Sequence, residues 1–210
     1  MAVRLSVACL RAPLRLVKEL RLEGGSPRLE VAESLVNESD VPVRCMWGHH
    51  IALGPPFLAA GDTVQLPDGI EGIPHPEALN DGERRVGPDR FAWPDAGGAD
   101  LSVLPDRGTP SELVYLTGFP EGAWYEVGKP SLRLRVRWDA RVMPYLWFWQ
   151  EFGATAGYPW YGRHWNVGLE PFSSYPTLGL AEAVANGTAL ELAGGGRREF
   201  SLSVEAIADG

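Results

Sequence analysis

Between Ser131 and Trp138 the chain reads SLRLRVRW, and this strict two-residue alternation constrains the fold more than any other stretch. Leu132, Leu134, Val136 and Trp138 fall on one face of an extended segment and Arg133, Arg135 and Arg137 on the other. That is the period of a half-buried β-strand, not of a helix. The arginine row reads as a solvated sheet face, with an anion site as the rarer alternative. Punctuation around this strand is dense. With 25 Gly and 18 Pro in 210 residues, turns are frequent, and 8 Trp supply large side chains for packed strands. Frequent turns and many aromatics predict an all-β chain with one short helix.

The same reading extends along the sequence. Residues 14–22 and 28–37 flank Gly24-Gly25-Ser26-Pro27 and predict a β-hairpin. Residues 43–53, VRCMWGHHIAL, predict one further strand. From Gly54 to Pro110 lie nine of the 18 prolines, which predicts a long, partly packed excursion with brief strands. Strands are expected over 113–118, 124–128, 145–151 and 165–170. A helix is expected over 178–185, closed by Asn186-Gly187, then strands over 188–192 and 198–206 joined by Gly194-Gly195-Gly196. No linker or repeat divides the chain, so 1–210 is read as one domain.

Composition narrows the function. The formal charge of −8 argues against nucleic acid as a partner, because neutralising phosphates takes a basic surface. No apolar run reaches the ~20 residues of a membrane helix, and Arg4 and Arg11 interrupt the start too closely for a signal peptide. A cytoplasmic protein without membrane partners is expected. Cys9 and Cys45 form neither a C-x-x-C pair nor a zinc spacing. Of the four histidines, His49 and His50 point to opposite faces of a strand, so a metal site with His75 and His164 is disfavoured. No phosphate-binding loop, dinucleotide fingerprint or nucleophile elbow is present.

Alternation also predicts where chemistry sits. Over 45–54, Cys45, Trp47, His49, Ile51 and Leu53 share a bulky face. His50 stands on the other between Gly48 and Ala52, with room beside the imidazole. Over 165–170, Trp165, Val167 and Leu169 make the bulky face, and Asn166, Gly168 and Glu170 the sparse one. A ligand could rest on the backbone at Gly168 beside the Glu170 carboxylate. Two strands thus each offer one titratable group amid small neighbours, as a small polar ligand requires. The alternative is structural: a hydrogen-bonded strand histidine and a glutamate closing a loop at Pro171.

At these residues the sequence resembles the galactose mutarotase-like (aldose 1-epimerase-like) family. The resemblance rests on WGHHIALGPPFL (47–58), GDTVQLP (61–67) and YLWFWQEFGATAGYPWYGRHWNVGLEP (145–171), and extends from about residue 14 onward. It implies a β-supersandwich, of which this chain would be the C-terminal portion, without the N-terminal part that supplies an arginine and a second histidine. It also implies interconversion of the α and β anomers of a monosaccharide without metal or organic cofactor. Glu170 matches the base and His50 the acid. The family's galactose enzymes carry a sugar-binding aspartate on a central strand, and none occurs around 114–118. Asn166, Gln150, Arg163 and Trp149 are the expected substrate contacts. Two other readings stay open: a non-catalytic carbohydrate-binding protein with Trp147, Trp149 or Trp160 as stacking platforms, and an inactive relative. A partial supersandwich leaves sheet edges open, which invites self-association.

Overall fold

The computed structural model describes residues 1–80 and 83–208. Nearly all of its regular structure is β. In chain order the strands are β1 (Ala2–Ala8), β2 (Leu14–Leu22), β3 (Arg28–Asn37), β4 (Val43–Cys45), β5 (Ala52–Leu53), β6 (Thr63–Gln65), β7 (Glu71–Pro74), β8 (Phe91–Ala92), β9 (Glu112–Thr117), β10 (Gly122–Lys129), β11 (Leu132–Asp139), β12 (Tyr145–Glu151) and β13 (Asn166–Phe172). Helix α1 (Leu180–Ala185), β14 (Leu190–Leu192) and β15 (Arg197–Ala208) complete the chain. A seven-stranded sheet has the order β1-β2-β3-β15-β11-β10-β6, and a six-stranded sheet the order β5-β13-β12-β9-β7-β8. β4 and β14 form a separate pair. Within the described residues no helix is long and apolar enough to cross a membrane.

The two large sheets share one hydrophobic core. Val31, Tyr125, Val136 and Leu202 come from the first sheet, and Val114, Leu116, Phe148, Val167 and Leu169 from the second. The Tyr125 hydroxyl crosses this core and donates to the Leu169 carbonyl at 3.2 Å. The alternating strand is β11, with Val136 and Trp138 buried as expected. Its arginine face is only partly solvated: Arg133 and Arg135 both pair with the buried Glu126 of β10. The hairpin is β2–β3, turning at Gly25, whose φ of 80° suits glycine. The expected helix forms over its last six residues and ends at Asn186.

Two features differ from the sequence reading. Ala2–Ala8 is a strand, although its apolar residues stay exposed. The stretch 43–53 is not one strand: β4 pairs with β14, β5 pairs with β13, and only an isolated bridge at Gly48 lies between. The excursion 54–110 carries brief strands as expected, β6, β7 and β8, and β7 sits inside the second sheet beside β9.

Candidate functional site

The site grows from β12 and β13, on the face of the second sheet that turns away from the core. Alternation sends Leu146, Phe148, Val167 and Leu169 inward, all fully buried. It leaves Trp147, Trp149, Gly168 and Glu170 on the opposite face. Across the β12–β13 pair, Trp147 faces Glu170 and Trp149 faces Gly168.

The irregular segment 47–53 runs alongside β13 and completes the arrangement. Ser173 N–H donates to the Trp47 carbonyl, His49 N–H to the Pro171 carbonyl, and Leu169 N–H to the Ile51 carbonyl. Gly48 bridges to Phe172 and Ala52 pairs with Gly168. Midway between these two, His50 falls opposite Glu170. Their side chains meet, with His50 Nε2 3.5 Å from Glu170 Oε1. The imidazole is 68% exposed and the carboxylate 6%. One group is therefore open to solvent and the other largely desolvated. Burial pushes the Glu170 carboxyl up to about 7, because the charged form has lost its water.

Beside this pair lies a hollow of about 300 Å³. Its walls are mostly apolar, with Trp147, Trp149, Trp160, Leu79 and Leu113, and Thr177 adds a hydroxyl. Trp149 stands edge-on to His50 at 6.3 Å and packs against Trp160 at 5.1 Å. The volume is at the low end for small-molecule sites, which combine apolar walls with a few polar groups.

The glycine gaps are filled by the protein itself. A Cβ at Gly48 would run into the Phe172 ring, which stacks on Trp147 at 3.7 Å and 4°. A Cβ at Gly168 would collide with Glu170 Oε1. The small residues thus make room for Phe172 and for the catalytic candidate's own carboxylate, where the sequence suggested a ligand resting on backbone.

The other expected contacts separate. Trp149 lines the hollow. Asn166 shares the Glu170 face but lies four residues back along the strand, near Gly54. Gln150 is not brought there: it alternates with Trp149, is buried, and accepts a bond from the Arg85 guanidinium. Arg163 is exposed on the loop before β13, where its carbonyl accepts from Arg107. His49, on the far face from His50, meets Glu33 Oε2 at 3.1 Å and packs against Phe200. Among the described residues no cluster of His, Cys, Asp or Glu could hold a metal ion.

Sequence reasoning missed Leu79, Leu113 and Thr177, and a buried relay behind them. His75 Nδ1 lies 2.6 Å from the Tyr115 hydroxyl, which accepts the Thr177 N–H at 3.1 Å. Burial holds His75 below the ordinary imidazole range. No local signal could have revealed this chain, because β7, β9 and the 173–178 turn meet only in the fold.

No family profile and no curated protein matches the chain. Solved structures do. A candidate aldose 1-epimerase from Klebsiella pneumoniae aligns with a TM-score of 0.77 at 18% identity, over 99% of this chain and 51% of that one. The chain has the galactose mutarotase-like fold. A galactose mutarotase-like protein from Lactobacillus casei agrees, with a TM-score of 0.63 at 16% identity over 98% of this chain and 70% of its own. The mutarotase-like fold also matches part of a TPR-domain containing protein from Parabacteroides distasonis, with a TM-score of 0.66 at 12% identity over 100% of this chain and 33% of that one. The chain thus spans about half the length of the Klebsiella protein.

Proposed function

We propose that this chain interconverts the α and β anomers of a monosaccharide, with Glu170 as base and His50 as acid. A single observation carries the reading: a desolvated carboxylate and an open imidazole meet at 3.5 Å on the rim of a tryptophan-walled hollow. The fold alone would not suffice, since unrelated activities share folds.

The chemistry follows from these two groups. The Glu170 carboxylate takes the proton from the anomeric hydroxyl while His50, protonated, gives one to the ring oxygen. The C1–O5 bond breaks and the C1–O1 bond becomes a carbonyl. Rotation about C1–C2 presents the other face of the aldehyde. Reclosure reverses both proton transfers and regenerates the starting forms of Glu170 and His50. A carboxylate raised to about 7 suits both directions, because a base poised near the working pH accepts and returns a proton with little bias. The indoles of Trp147 and Trp149 offer flat apolar surface to the C–H face of a pyranose.

Polarimetry or NMR of freshly dissolved glucose and galactose tests this. The chain is expected to speed anomer equilibration, and Glu170→Gln or His50→Gln to reduce the rate by roughly 100- to 10,000-fold, the span of general acid–base catalysis. Rates equal to buffer across a panel of aldoses would remove the catalytic reading. Sugar binding without acceleration would instead support a binding protein built on the three indoles.

A further inference from the structure

The two large sheets end on four strands. β5 and β8 hold two residues each and β6 three, too short to template another chain. β1 is different. It has seven residues, one charge at Arg4, no proline, and an unbroken register with β2. All seven residues are exposed.

The direction of its backbone groups follows from its ends. Met1 and Leu22 exchange both their bonds, and Cys9 N–H donates to the Leu14 carbonyl. Antiparallel pairs alternate between bonded and non-bonded. Val3, Leu5 and Val7 therefore bond to β2, and Ala2, Arg4, Ser6 and Ala8 turn their N–H and C=O groups to the free edge. The strand reads AVRLSVA, which is nearly a palindrome about Leu5. In an antiparallel pair centred there, Ala2 meets Ala8 and Arg4 meets Ser6, and all four outward residues are used. Shifting two residues one way sets Arg4 against Arg4, a like-charge pair. Shifting the other way leaves Ala2 without a strand partner.

We propose that β1 pairs with β1 of a second copy of this chain about a twofold axis at Leu5, fusing two seven-stranded sheets into one. In this register Leu5 faces Leu5 and Val3 faces Val7 as non-bonded pairs, where side chains approach closest. These are large apolar groups left 53%, 44% and 58% exposed in the single chain. Hydrogen-bond parity, charge and apolar pairing thus select the same register.

Sedimentation equilibrium of the full chain is expected to show a monomer–dimer equilibrium. Ser6→Pro removes an N–H aimed at the free edge and none aimed at β2, so the chain should fold with unchanged circular dichroism. Its dimer dissociation constant should rise at least about tenfold. Register is read by cross-linking in a Cys9→Ser background. Leu5→Cys should oxidise to a disulfide-linked dimer, because a Cα separation of ~4.5 Å lies within disulfide range. Val3→Cys should not, because its partner is residue 7. A strictly monomeric chain, a Ser6→Pro variant that dimerises as tightly, or equal cross-linking at positions 3 and 5 would each overturn the proposal. None of these readouts depends on the chemistry at His50 and Glu170.

Discussion

As the proposed base, Glu170 is asked to do two things that pull against each other. It must be buried enough to be a poised base, yet ionised when substrate arrives. With its carboxyl raised to about 7 by desolvation, the base form is scarce at pH 5 and dominant at pH 8. With an ionised Glu170 and a protonated His50 both required, the anomerisation rate is expected to rise with pH as Glu170 ionises and to fall again when the acid's proton is lost, a bell followed by polarimetry in a buffer series. A rate that is flat from pH 5 to 8 would assign the base elsewhere. Gly168 sets where the carboxylate rests. A Cβ there displaces the tip of a flexible side chain, so Gly168→Ala should cost under about 1 kcal/mol of stability, well short of overpacking a core. Turnover should fall, because the carboxylate loses its seat beside His50. Alternation alone separated His50 and Glu170 from their packing neighbours, since side-chain direction is a local property. What fills the space over a neighbouring glycine is not local, and there Phe172 and Glu170 took positions the spacing had left to a ligand.

The segment 47–53 is the element on which the site turns. It carries His50 yet forms little regular strand, held to β13 and Ser173 by backbone bonds at Trp47, His49 and Ile51, by the short β5 ladder, and by Trp47 N–H to Ser173 Oγ at 2.9 Å. Phe172 lies over Gly48 and against Trp147, so the ring clamps this segment to β12. Gly48→Ala would drive a methyl into that ring, and neither partner is a free end. It is expected to destabilise the fold by ~1–3 kcal/mol and to abolish anomerisation, measured by urea unfolding and polarimetry. A variant with native stability and full activity would show that the clamp does not position His50. Elements with a clear alternation and turn residues, such as β11 and the β2–β3 hairpin, were legible in the sequence. β7 was not, because EGIP carries a glycine and a proline and gains its place only by pairing with β9. The β5–β13 pairing joins residues more than a hundred positions apart, and no local pattern encodes it. β1 shows the converse: its alternation is plain, but its face is not buried.

Across the whole molecule, two buried carboxylates tie stability to pH in opposite senses. Glu33 reaches from β3 to Lys18 Nζ at 2.7 Å and to His49 Nε2 at 3.1 Å, linking the first sheet to the segment that carries His50. Burial pushes its carboxyl up, but His49 and Lys18 outweigh this and hold it below the usual range. Its contribution is present above the unfolded value of 4.5 and is lost as pH falls through the lower native value. Glu170 runs the other way. Its native carboxyl titrates near 7 against 4.5 unfolded, so its contribution is whole below 4.5 and is lost as pH rises through 7. The shift corresponds to about 3 kcal/mol at ~1.4 kcal/mol per pH unit. These two groups together favour the folded state most near pH 4.5, while the proposed reaction needs Glu170 ionised. Urea unfolding from pH 3 to 9 separates them. Glu170→Gln should leave stability near pH 4.5 unchanged and exceed the parent by about 3 kcal/mol at pH 8, because an amide cannot ionise in the hollow. Glu33→Gln should cost ~1–3 kcal/mol at pH 7, and the cost should vanish as the medium becomes acid enough to protonate the native carboxylate. If Glu170→Gln tracked the parent at a constant offset from pH 5 to 8, Glu170 would titrate like an ordinary surface carboxylate. The hollow would then lack the dry, poised base on which the proposed chemistry depends.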